Sequence, residues 1–365
     1  MPRRKGHSLI GIDLQPKSAK MVQLHFGSQG ISLAGHSSVS FEESLTPLVD
    51  HKPHKVVDAL KAAIKSGGLS GSRAVITLPP NKVDVRTLTL GGSDVDLDKM
   101  LNWEAESYLH YDVADASIDY VELGRVKVGK EERSDVLVAA ARKAYIHELL
   151  ELMAGAGLMV TAVDIVPMAL WRLGSHVGRE LNAPFSLIDI GRTASVAVIL
   201  NRGDLRLTRT IDRGGDEFTT RIMDSLEVSH DEAELLKKEY GTGVPGHGAH
   251  LDSENELVTK TEIEGTVHEI LRRDLEELAG ELQKLFRYFS TLNKGVPVRC
   301  GYLCGGGGLL KGLDAFLAER AGIGIERLPS LEAVFSTQSG EASEEVGPEY
   351  AVAAGLALRR IDADQ

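Results

Sequence analysis

The sequence is poor in cysteine and has no long apolar run. Only two of its 365 residues are cysteine, Cys300 and Cys304, too few for a disulfide framework or a four-cysteine zinc site. No 18 consecutive residues are apolar, so we expect no membrane-spanning segment. Basic side chains are outnumbered, 41 against 53 acidic ones, which gives a formal net charge of −12. We therefore expect a cytoplasmic protein of two or three globular units that does not bind nucleic acid, since such binding needs a basic surface.

Two catalytic signatures are also missing. The sequence has no Gly-x-Ser-x-Gly elbow, the turn that carries the nucleophile of many hydrolases. Its 12 histidines include no His-x-x-x-His pair on a predicted helix, the spacing that places two metal ligands on one helix face. We expect neither a hydrolase triad nor a histidine metal site.

Strand and helix patterns alternate along the chain, which is typical of an α/β protein. Apolar residues indicate a strand at 8–13, and 19–26 alternates like its hairpin partner. Helical spacing is found at 94–110 and again at 271–292. A bundle or coiled-coil role is an alternative for the second of these helices, but its length favours a helix that packs on a core.

One internal repeat relates the two halves of the chain. The string Ile10-Gly-Ile-Asp-Leu near the start is similar to Leu187-Ile-Asp-Ile-Gly, which follows Pro184. Each places an aspartate at the end of an apolar strand, before a turn into a second strand. The repeat predicts two related units.

Four short motifs share chemistry that suits a phosphorylated ligand: Asp13 before a tight turn, Asp189-Ile-Gly-Arg-Thr193, Glu234 with Lys237 on a predicted helix, and the glycine run 305–308. Turns offer backbone N–H groups to phosphate oxygens, and aspartates hold Mg²⁺ through water. Glutamate and lysine three residues apart share a helix face and can meet a ribose. Glycines let the backbone approach a base closely. Taken singly, each motif is more often an ordinary turn or helix; their order is more specific.

That order resembles the actin/sugar-kinase/chaperone ATPase superfamily, in which two related domains close on a nucleotide. Further segments are similar to the PilM family, the cytoplasmic actin-like proteins of type IV pilus assembly: 103–109, 164–170, 209–219, 303–314 and 350–359. The resemblance extends from about residue 9 to residue 359. The Trp103-Glu-Ala-Glu segment is not a general actin feature, and its placement suggests the small subdomain called 1C in the cell-division relative FtsA.

The resemblance implies an ATP or ADP site with Mg²⁺. Carried over by position, it assigns the first phosphate loop to Asp13, Ser18 and Lys20, and the second to Asp189, Gly191 and Thr193. It assigns the ribose to Glu234 and Lys237, the base to Gly305, Gly306 and Gly307, and the interdomain cleft to Gly214 and Gly215. Asp13 and Asp189 would hold Mg²⁺ through water.

The first phosphate loop departs from the family pattern. That pattern is Asp-Ile-Gly followed by small hydroxyl residues, whereas this chain has Asp13-Leu-Gln-Pro-Lys-Ser18. The glycine that can take a positive φ is missing, and Pro16 has no N–H to donate. Lys17 offers a charge in place of a fixed amide. We expect Gln15 and Pro16 to weaken nucleotide binding.

The resemblance also implies an actin-like two-domain fold, made of duplicated ribonuclease-H-like domains with an inserted 1C-type subdomain. Its expected segments are 1A at 1–79, 1C at 80–160, 1A again at 161–184, 2A at 185–220, 2B at 221–296, 2A again at 297–340, and a C-terminal helix of 1A at 341–365.

By the same resemblance, the function is that of a nucleotide-bound scaffold at the inner-membrane platform of the pilus. The groove between 1A and 1C would receive the short cytoplasmic tail of a PilN-like bitopic membrane protein, and an acidic groove would suit a basic peptide. Other platform proteins are further expected partners. The protein would lie in the cytoplasm, peripheral to the inner membrane, and bind ATP with weak or no turnover.

Three rival functions stay open at this point. A small-molecule kinase of the superfamily would need a catalytic base, and Asp164 is the one candidate. An FtsA-like polymerising protein would want a C-terminal amphipathic anchor, whereas the sequence given ends in polar residues. The cytoplasmic region of a GspL-type secretion protein would continue into a membrane span. The oligomeric state is likewise open.

Overall fold

Strands and helices alternate along the chain, as their sequence patterns predict. The structure, a computed structural model, describes residues 6–28, 30–41, 45, 53–91, 97–128, 131–242, 254–335 and 345–359. Within these ranges the elements up to residue 177 are β1 (Gly6–His7), β2 (Ile10–Gln15), β3 (Ser18–Phe26), β4 (Ile31–Ser40), α1 (Pro53–Ser66), β5 (Arg73–Thr77), β6 (Val83–Gly91), α2 (Leu97–Glu106), β7 (Ala116–Val128), β8 (Glu131–Arg142), α3 (Lys143–Gly155), β9 (Met159–Asp164) and α4 (Val166–Val177).

The second half follows with a similar series. Its elements are β10 (Phe185–Ile190), β11 (Ser195–Asn201), β12 (Asp204–Ile211), α5 (Gly215–Leu226), α6 (His230–Tyr240), α7 (Glu254–Leu292), β13 (Cys300–Cys304), α8 (Leu313–Ala321), β14 (Gly324–Arg327), α9 (Leu331–Phe335) and α10 (Ala351–Ala357). No helix in these described ranges is both long and apolar enough to cross a membrane.

The two halves contain sheets of the same design. In the first, the central strand β2 lies antiparallel to β3 and parallel to β5; β4 and β1 pair with β3, and β9 lies beyond β5. In the second, β10 lies antiparallel to β11 and parallel to β13, with β12 and β14 outermost. Each sheet therefore pairs a three-stranded meander with two parallel strands, and the internal repeat of the sequence marks the two central strands.

Three apolar layers hold the sheets. Helices α1 and α3 pack on one face of the first sheet. Helices α4 and α10 lie between the two sheets, and α5, α7 and α8 cover the far face of the second. Side chains alternate between layers with the two-residue period of a strand: Leu187 packs in the middle layer, and Ile188 packs in the outer one.

Helix α10 is built from small residues and is buried along its whole length. A Cβ on Gly355 would overlap the carbonyl oxygen of Ala169 in α4. On the other side, a Cβ on Gly11 of β2 would overlap the carbonyl oxygen of Ala353. Because glycine sits at both points, the helix backbone can approach α4 and β2 this closely.

A third sheet is inserted after β5. Its strand order is β6-β8-β7, all antiparallel. Helix α2 covers one face, where Leu101 packs with Leu90, Val136 and Val138. Helix α3, which the expected subdomain boundaries place with this sheet, contacts α1 and β9 of the first unit as well as β8 of the inserted sheet. The boundaries themselves stay a prediction, and residues 1–5, 341–344 and 360–365 of those segments lie outside the described ranges.

Two helices differ in length from their predictions. Helix α2 ends at Glu106 rather than at 110, because the following N–H groups of Ser107 and Tyr108 bond to carbonyls only three residues back. Tyr108 then lies under the guanidinium of Arg86, 4.1 Å from the ring centroid. Helix α7 begins at Glu254, well before the predicted 271. Its apolar face also begins earlier, because Val267 is buried and Ile263 and Ile270 pack against the same core. Its predicted core face is confirmed, since Leu271, Leu275, Leu278 and Leu282 are all buried.

Candidate functional site

The first predicted phosphate loop is a two-residue hairpin. Strand β2 ends at Gln15 and β3 begins at Ser18, which pair with each other, so Pro16 and Lys17 form the turn. The side-chain amide of Gln15 folds back and donates a hydrogen bond of 2.9 Å to Asp13 Oδ1. Lys17 is exposed and does not line the cavity described below. The residues that depart from the family pattern therefore place an amide on Asp13, and the lysine points its charge elsewhere.

The second loop is longer and is held by glycines. Between β10 and β11, the N–H of Gly191 donates to the carbonyl of Ala194 over 3.1 Å. The N–H of Gly215, at the start of α5, donates to the carbonyl of Gly191 over 3.0 Å. A Cβ on Gly214 would overlap the carbonyl of Arg192. Gly214 and Gly215 thus let α5 begin directly against this loop.

Asp13 and Asp189 lie near the ends of the central strands β2 and β10 and face the same cavity. Both are buried, with 5% and 6% of their surfaces exposed. Burial and the nearby charge of Asp13 raise the pKa of Asp189 to about 7, although Lys20 acts to lower it. Burial also raises the pKa of Asp13, against lowering by Lys20 and by hydrogen bonds from Gln15 and Thr77. Two buried carboxylates share one lysine, an arrangement that favours an added cation.

Lys20 connects the two halves of the site. It lies opposite Asp13 in the β2–β3 hairpin. Its ammonium lies against the glycine loop after β13, because a Cβ on Gly306 would be 3.7 Å from Lys20 Nζ. The lysine is therefore placed between both aspartates and the backbone of the second half.

The glycine loop packs tightly on the second hairpin. Gly305 has a φ of +79°, and a Cβ there would overlap Asp189 Oδ1. A Cβ on Gly307 would overlap the side chain of Ile190. The third glycine, Gly306, has only Lys20 within contact distance and opens to the cavity. Glycine is thus required at 305 and 307, because a side chain at either position would overlap Asp189 or Ile190.

Glu234 and Lys237 share the cavity-facing side of α6. Lys237 Nζ donates to the carbonyl of Gly215 over 3.0 Å and to Thr219 Oγ1 over 2.6 Å, and it forms an ion pair with Glu234. Burial acts to raise the pKa of Glu234, but hydrogen bonds from Lys237 and Thr219 bring it below its usual value. The pair therefore also ties α6 to α5.

These elements enclose one cavity of about 640 Å³. It is lined by eleven of the predicted residues: Asp13, Ser18, Lys20, Asp189, Gly191, Gly215, Glu234, Lys237, Gly305, Gly306 and Gly307. The two remaining ones do not line it. Gly214 is covered by the second loop, and Thr193 Oγ1 is buried without a hydrogen-bond partner among the described residues.

Several cavity residues were not found from the sequence: Gln15 as a lining side chain, Arg192, Asp216, His230, Lys311, Arg327 and Glu349. Arg192 donates a 2.9 Å hydrogen bond to Asp216, so both are held at the mouth of the second loop. Arg327 ends β14, beside Leu303 of β13; recognising that strand would have indicated it, because parallel strands end at the same edge. Glu349 carries no local signal, because a distant segment brings it to the cavity.

Asp164 does not lie in this cavity. It ends β9, and its Oδ2 accepts hydrogen bonds of 2.7 Å from both Arg172 and Arg359. It lines a second cavity of about 440 Å³ between the inserted sheet and the first unit. One wall is the sheet face with Val121, Leu137, Ala139 and Ala141; the other includes Met168 and Arg172 of α4. We call this second cavity the groove.

Comparison with known families decides the relationship. The family model described as "Type IV pilus assembly protein PilM" matches residues 11–245. The chain belongs to the PilM family. A model described as "Cell division protein FtsA" matches residues 186–355 as well, so the resemblance stated above to an FtsA-related family is confirmed.

Solved structures confirm the actin-like two-domain fold. A structure titled "PilM-PilN type IV pilus biogenesis complex" is 24% identical, covers 98% of both chains and superposes with a TM-score of 0.76. Ethanolamine utilization protein EutJ from Carboxydothermus hydrogenoformans is 15% identical over 98% of this chain and 91% of its own, with a TM-score of 0.55. MreB 5 of Spiroplasma citri bound to AMPPNP is 13% identical over 97% and 95%, with a TM-score of 0.51.

Curated relatives share shorter stretches. The FtsA protein of Bacillus subtilis (strain 168) is 33% identical over 99 residues, 27% of this chain and 22% of its own length. The FtsA protein of Streptococcus pneumoniae serotype 2 is 26% identical over 199 residues, 52% of this chain and 42% of its own. The PilM-family chain thus spans less than half the length of these two relatives.

Proposed function

We propose that this PilM-family protein is a nucleotide-binding adaptor of the type IV pilus assembly platform. The observation that carries the proposal is the cavity between the two hairpins, which gathers eleven predicted residues from five separate segments. The nucleotide would hold the two halves together, and the groove would hold a partner. Turnover is weak or absent in this proposal, because the adaptor role needs binding and not hydrolysis.

The residues of the cavity fit a nucleotide with Mg²⁺. Asp13 and Asp189 would hold the ion through water, and Ser18, Lys20, Gly191 and Thr193 would receive phosphate oxygens. Thr193 Oγ1 is a buried hydroxyl whose partner is missing among the described residues, which suits such a ligand. Bound Mg²⁺ would neutralise phosphate charge beside the two carboxylates, in addition to the basic side chains that line the cavity. No three His, Cys, Asp or Glu side chains cluster in the described ranges, and Mg²⁺ commonly keeps several waters.

The remaining predicted residues divide between ribose and base. Glu234 and Lys237 would meet the ribose with the groups that their mutual ion pair leaves accessible. Gly305, Gly306 and Gly307 would pass beside the base, and Gly214 with Gly215 would keep α5 close to the phosphates. The amide of Gln15 would compete with a hydrated cation for Asp13, which is why we expect moderate affinity.

The groove suits an extended segment of a partner. Ala139 and Ala141 leave a shallow apolar recess in the face of the inserted sheet, and apolar side chains could fill it. At its polar end, Arg172 Nη1 is buried and has no hydrogen-bond partner among the described residues. A docked segment with apolar side chains and one acceptor oxygen would satisfy both features.

We propose that this segment is the cytoplasmic tail of a PilN-like bitopic membrane protein. The PilM-PilN title of the similar structure supports the choice of partner. Binding of that tail would place the protein in the cytoplasm beside the inner membrane, within reach of other platform proteins. The expected acidic groove needs correction: its charged lining residues are Asp119, Asp164, Arg172 and Arg359, two of each sign, so a basic peptide has no electrostatic preference there.

Two titrations test the proposal. A fluorescent ATP analogue with Mg²⁺ should bind saturably to the full chain and should fail to bind Asp189→Ala, while phosphate release stays negligible. A labelled PilN-like tail peptide from the same organism should bind with an affinity that falls at least about tenfold in Ala139→Leu, which fills the recess. The exposed Arg273→Ala on α7 serves as the control and should leave both affinities unchanged. Failure of both ligands to bind the unaltered chain would contradict the proposal.

A further inference from the structure

The nucleotide cavity and the groove open at the same edge of the first sheet. Thr77 and Asp164 end the parallel strands β5 and β9 and pair with each other, and Asp13 lies near the end of the neighbouring parallel strand β2. Two strand spacings correspond to about 10 Å. The carboxylate of the cavity and the carboxylate of the groove are thus separated by one buried threonine.

Thr77 forms a hydrogen bond toward the nucleotide cavity, and the next residue forms one toward the groove. Thr77 Oγ1 donates to Asp13 Oδ1 over 3.3 Å. The next residue, Leu78, donates its N–H to the backbone carbonyl of Asp164 over 3.0 Å. A displacement of either strand end is therefore passed to the other through hydrogen bonds.

A second connection runs through α10. The N–H of Gly305, in the glycine loop, donates to the carbonyl of Pro348 over 3.1 Å, and the adjacent Glu349 lines the nucleotide cavity. Helix α10 follows at once. Just beyond its end, Arg359 Nη1 donates to Asp164 Oδ2 over 2.7 Å. One short segment thus begins at the nucleotide cavity and ends in the groove.

Helix α10 is packed so that it moves as a unit. All seven of its residues are buried, and its backbone touches α4 at Gly355 and β2 at Gly11. Close-packed interiors transmit displacement rather than absorb it. A shift of Pro348 is therefore expected to reach Arg359.

We propose that nucleotide and partner segment bind cooperatively, with the ion pair between Arg359 and Asp164 as the coupling contact. This inference rests on the function proposed above. A nucleotide held between the glycine loop and Asp13 fixes the position of Pro348 relative to β2. That position sets Arg359 against Asp164, so that Arg172, which shares the same carboxylate oxygen, keeps its free Nη1 directed at the docked segment. The coupling is reciprocal, as linkage requires.

The test compares the nucleotide affinity of the full chain with and without the partner segment. Fluorescent ADP with Mg²⁺ is titrated alone and with saturating PilN-like tail peptide. We expect the peptide to tighten nucleotide binding at least about fivefold. The ratio of the nucleotide affinity with peptide to that without peptide should fall to one in Arg359→Ala. In the control Arg273→Ala this ratio should match that of the unaltered protein. An unaltered protein with a ratio of one, or an Arg359→Ala variant with the full ratio, overturns the proposal.

Hydrogen exchange separates this proposal from the one before it. Without any peptide, Mg²⁺ and ADP should increase amide protection in α10 and in the first turns of α4, and this gain should be lost in Arg359→Ala. Both ligands could bind while nucleotide leaves amide protection in α10 and α4 unchanged and peptide leaves nucleotide affinity unchanged. In that case the proposed coupling is wrong and the adaptor function stands. If the peptide does not bind but nucleotide still increases amide protection in α4, the proposed PilN-like partner is wrong. The connection between the nucleotide cavity and the groove then stands. If nucleotide does not bind, both fail.

Discussion

Asp13 and Asp189 end equivalent strands in the two sheets, and the charge of Asp13 is second only to burial in raising the pKa of Asp189 to about 7. The two halves of the chain thus meet at a pair of carboxylates that repel one another unless a proton or a cation intervenes.

The first prediction concerns the pH dependence of stability. The ordinary pKa of an aspartate is 3.8, so between about pH 4 and pH 7 the folded protein holds a proton on Asp189 that the unfolded chain has released. With metal and nucleotide removed by EDTA and dialysis, the free energy of unfolding should fall as pH rises through this window. The total loss is on the order of 4 kcal/mol. Urea midpoints between pH 4.5 and 8 measure it, and Asp189→Asn should flatten the curve. If stability falls with pH equally steeply in the unaltered protein and in Asp189→Asn, Asp189 is not the group that titrates in this window.

The second prediction concerns the first phosphate loop. Gln15→Ala removes the amide that bonds to Asp13 Oδ1 and opens space in the cavity. We expect affinity for a fluorescent nucleotide with Mg²⁺ to rise severalfold, because the carboxylate no longer has to break a hydrogen bond worth about 1.5–3 kcal/mol. Gln15→Glu is the matched variant, which keeps the length of the side chain and cannot donate. A lower affinity in Gln15→Ala would show that the amide helps to bind the ligand.

The third prediction compares two helical glycines. Gly355→Ala should destabilise the protein by roughly 1–3 kcal/mol, because its Cβ overlaps the Ala169 carbonyl and both helices must shift. Gly265→Ala in α7 should stabilise it by about 0.5–1 kcal/mol, since a Cβ there meets no atom within 4 Å and alanine favours the helix. The midpoints of thermal unfolding of the two variants should therefore shift in opposite directions from that of the unaltered protein. A stabilising shift in Gly355→Ala would mean that α10 is less tightly packed than described, and a destabilising shift in Gly265→Ala would contradict the open space around that position.

The fourth prediction concerns a buried carboxylate in the second half. Asp274 of α7 is fully buried and receives two 3.0 Å hydrogen bonds from Arg221 of α5. Arg221→Ala leaves that charge with only a 3.4 Å contact to Arg213, so we expect a loss of about 3 kcal/mol. Urea denaturation measures it. Glu269→Gln, which removes an exposed ion pair with Arg272 on the same helix, should leave the midpoint where it is.

The sequence predicted the parts of the site whose chemistry lies within one segment. Asp13 and Asp189 follow short apolar strands, and the glycine run follows another, so local pattern indicated all three. Arg327 and Glu349 reach the cavity only through tertiary packing, which no local pattern encodes. Asp164 carried a strand-end signal like that of Asp13, but its strand β9 lies two positions from β2 in the sheet, where two arginines donate hydrogen bonds to its carboxylate.

The fold was predictable to a similar extent. Central strands are continuously apolar and were found. Strand β12 was missed although its buried and exposed residues alternate with a two-residue period, and β4 was missed because its few buried residues give no such alternation. The first turns of α7 were missed because their residues are polar. The sequence indicated that a flexible position is lost at Gln15, and the effect of this loss on nucleotide binding stays a prediction. The amide contact of Gln15 with Asp13 required the side-chain geometry.

The packing of α10 affects the order in which the chain folds. Its alanines fill the space between β2 and α4. About 340 positions of sequence separate α10 from the strand it covers, and such distant contacts form late. Until α10 packs, the part of β2 that it covers is exposed, and the folding chain must be protected from association through that face. The docking of α10, rather than the folding of either sheet, is therefore the event that closes this face.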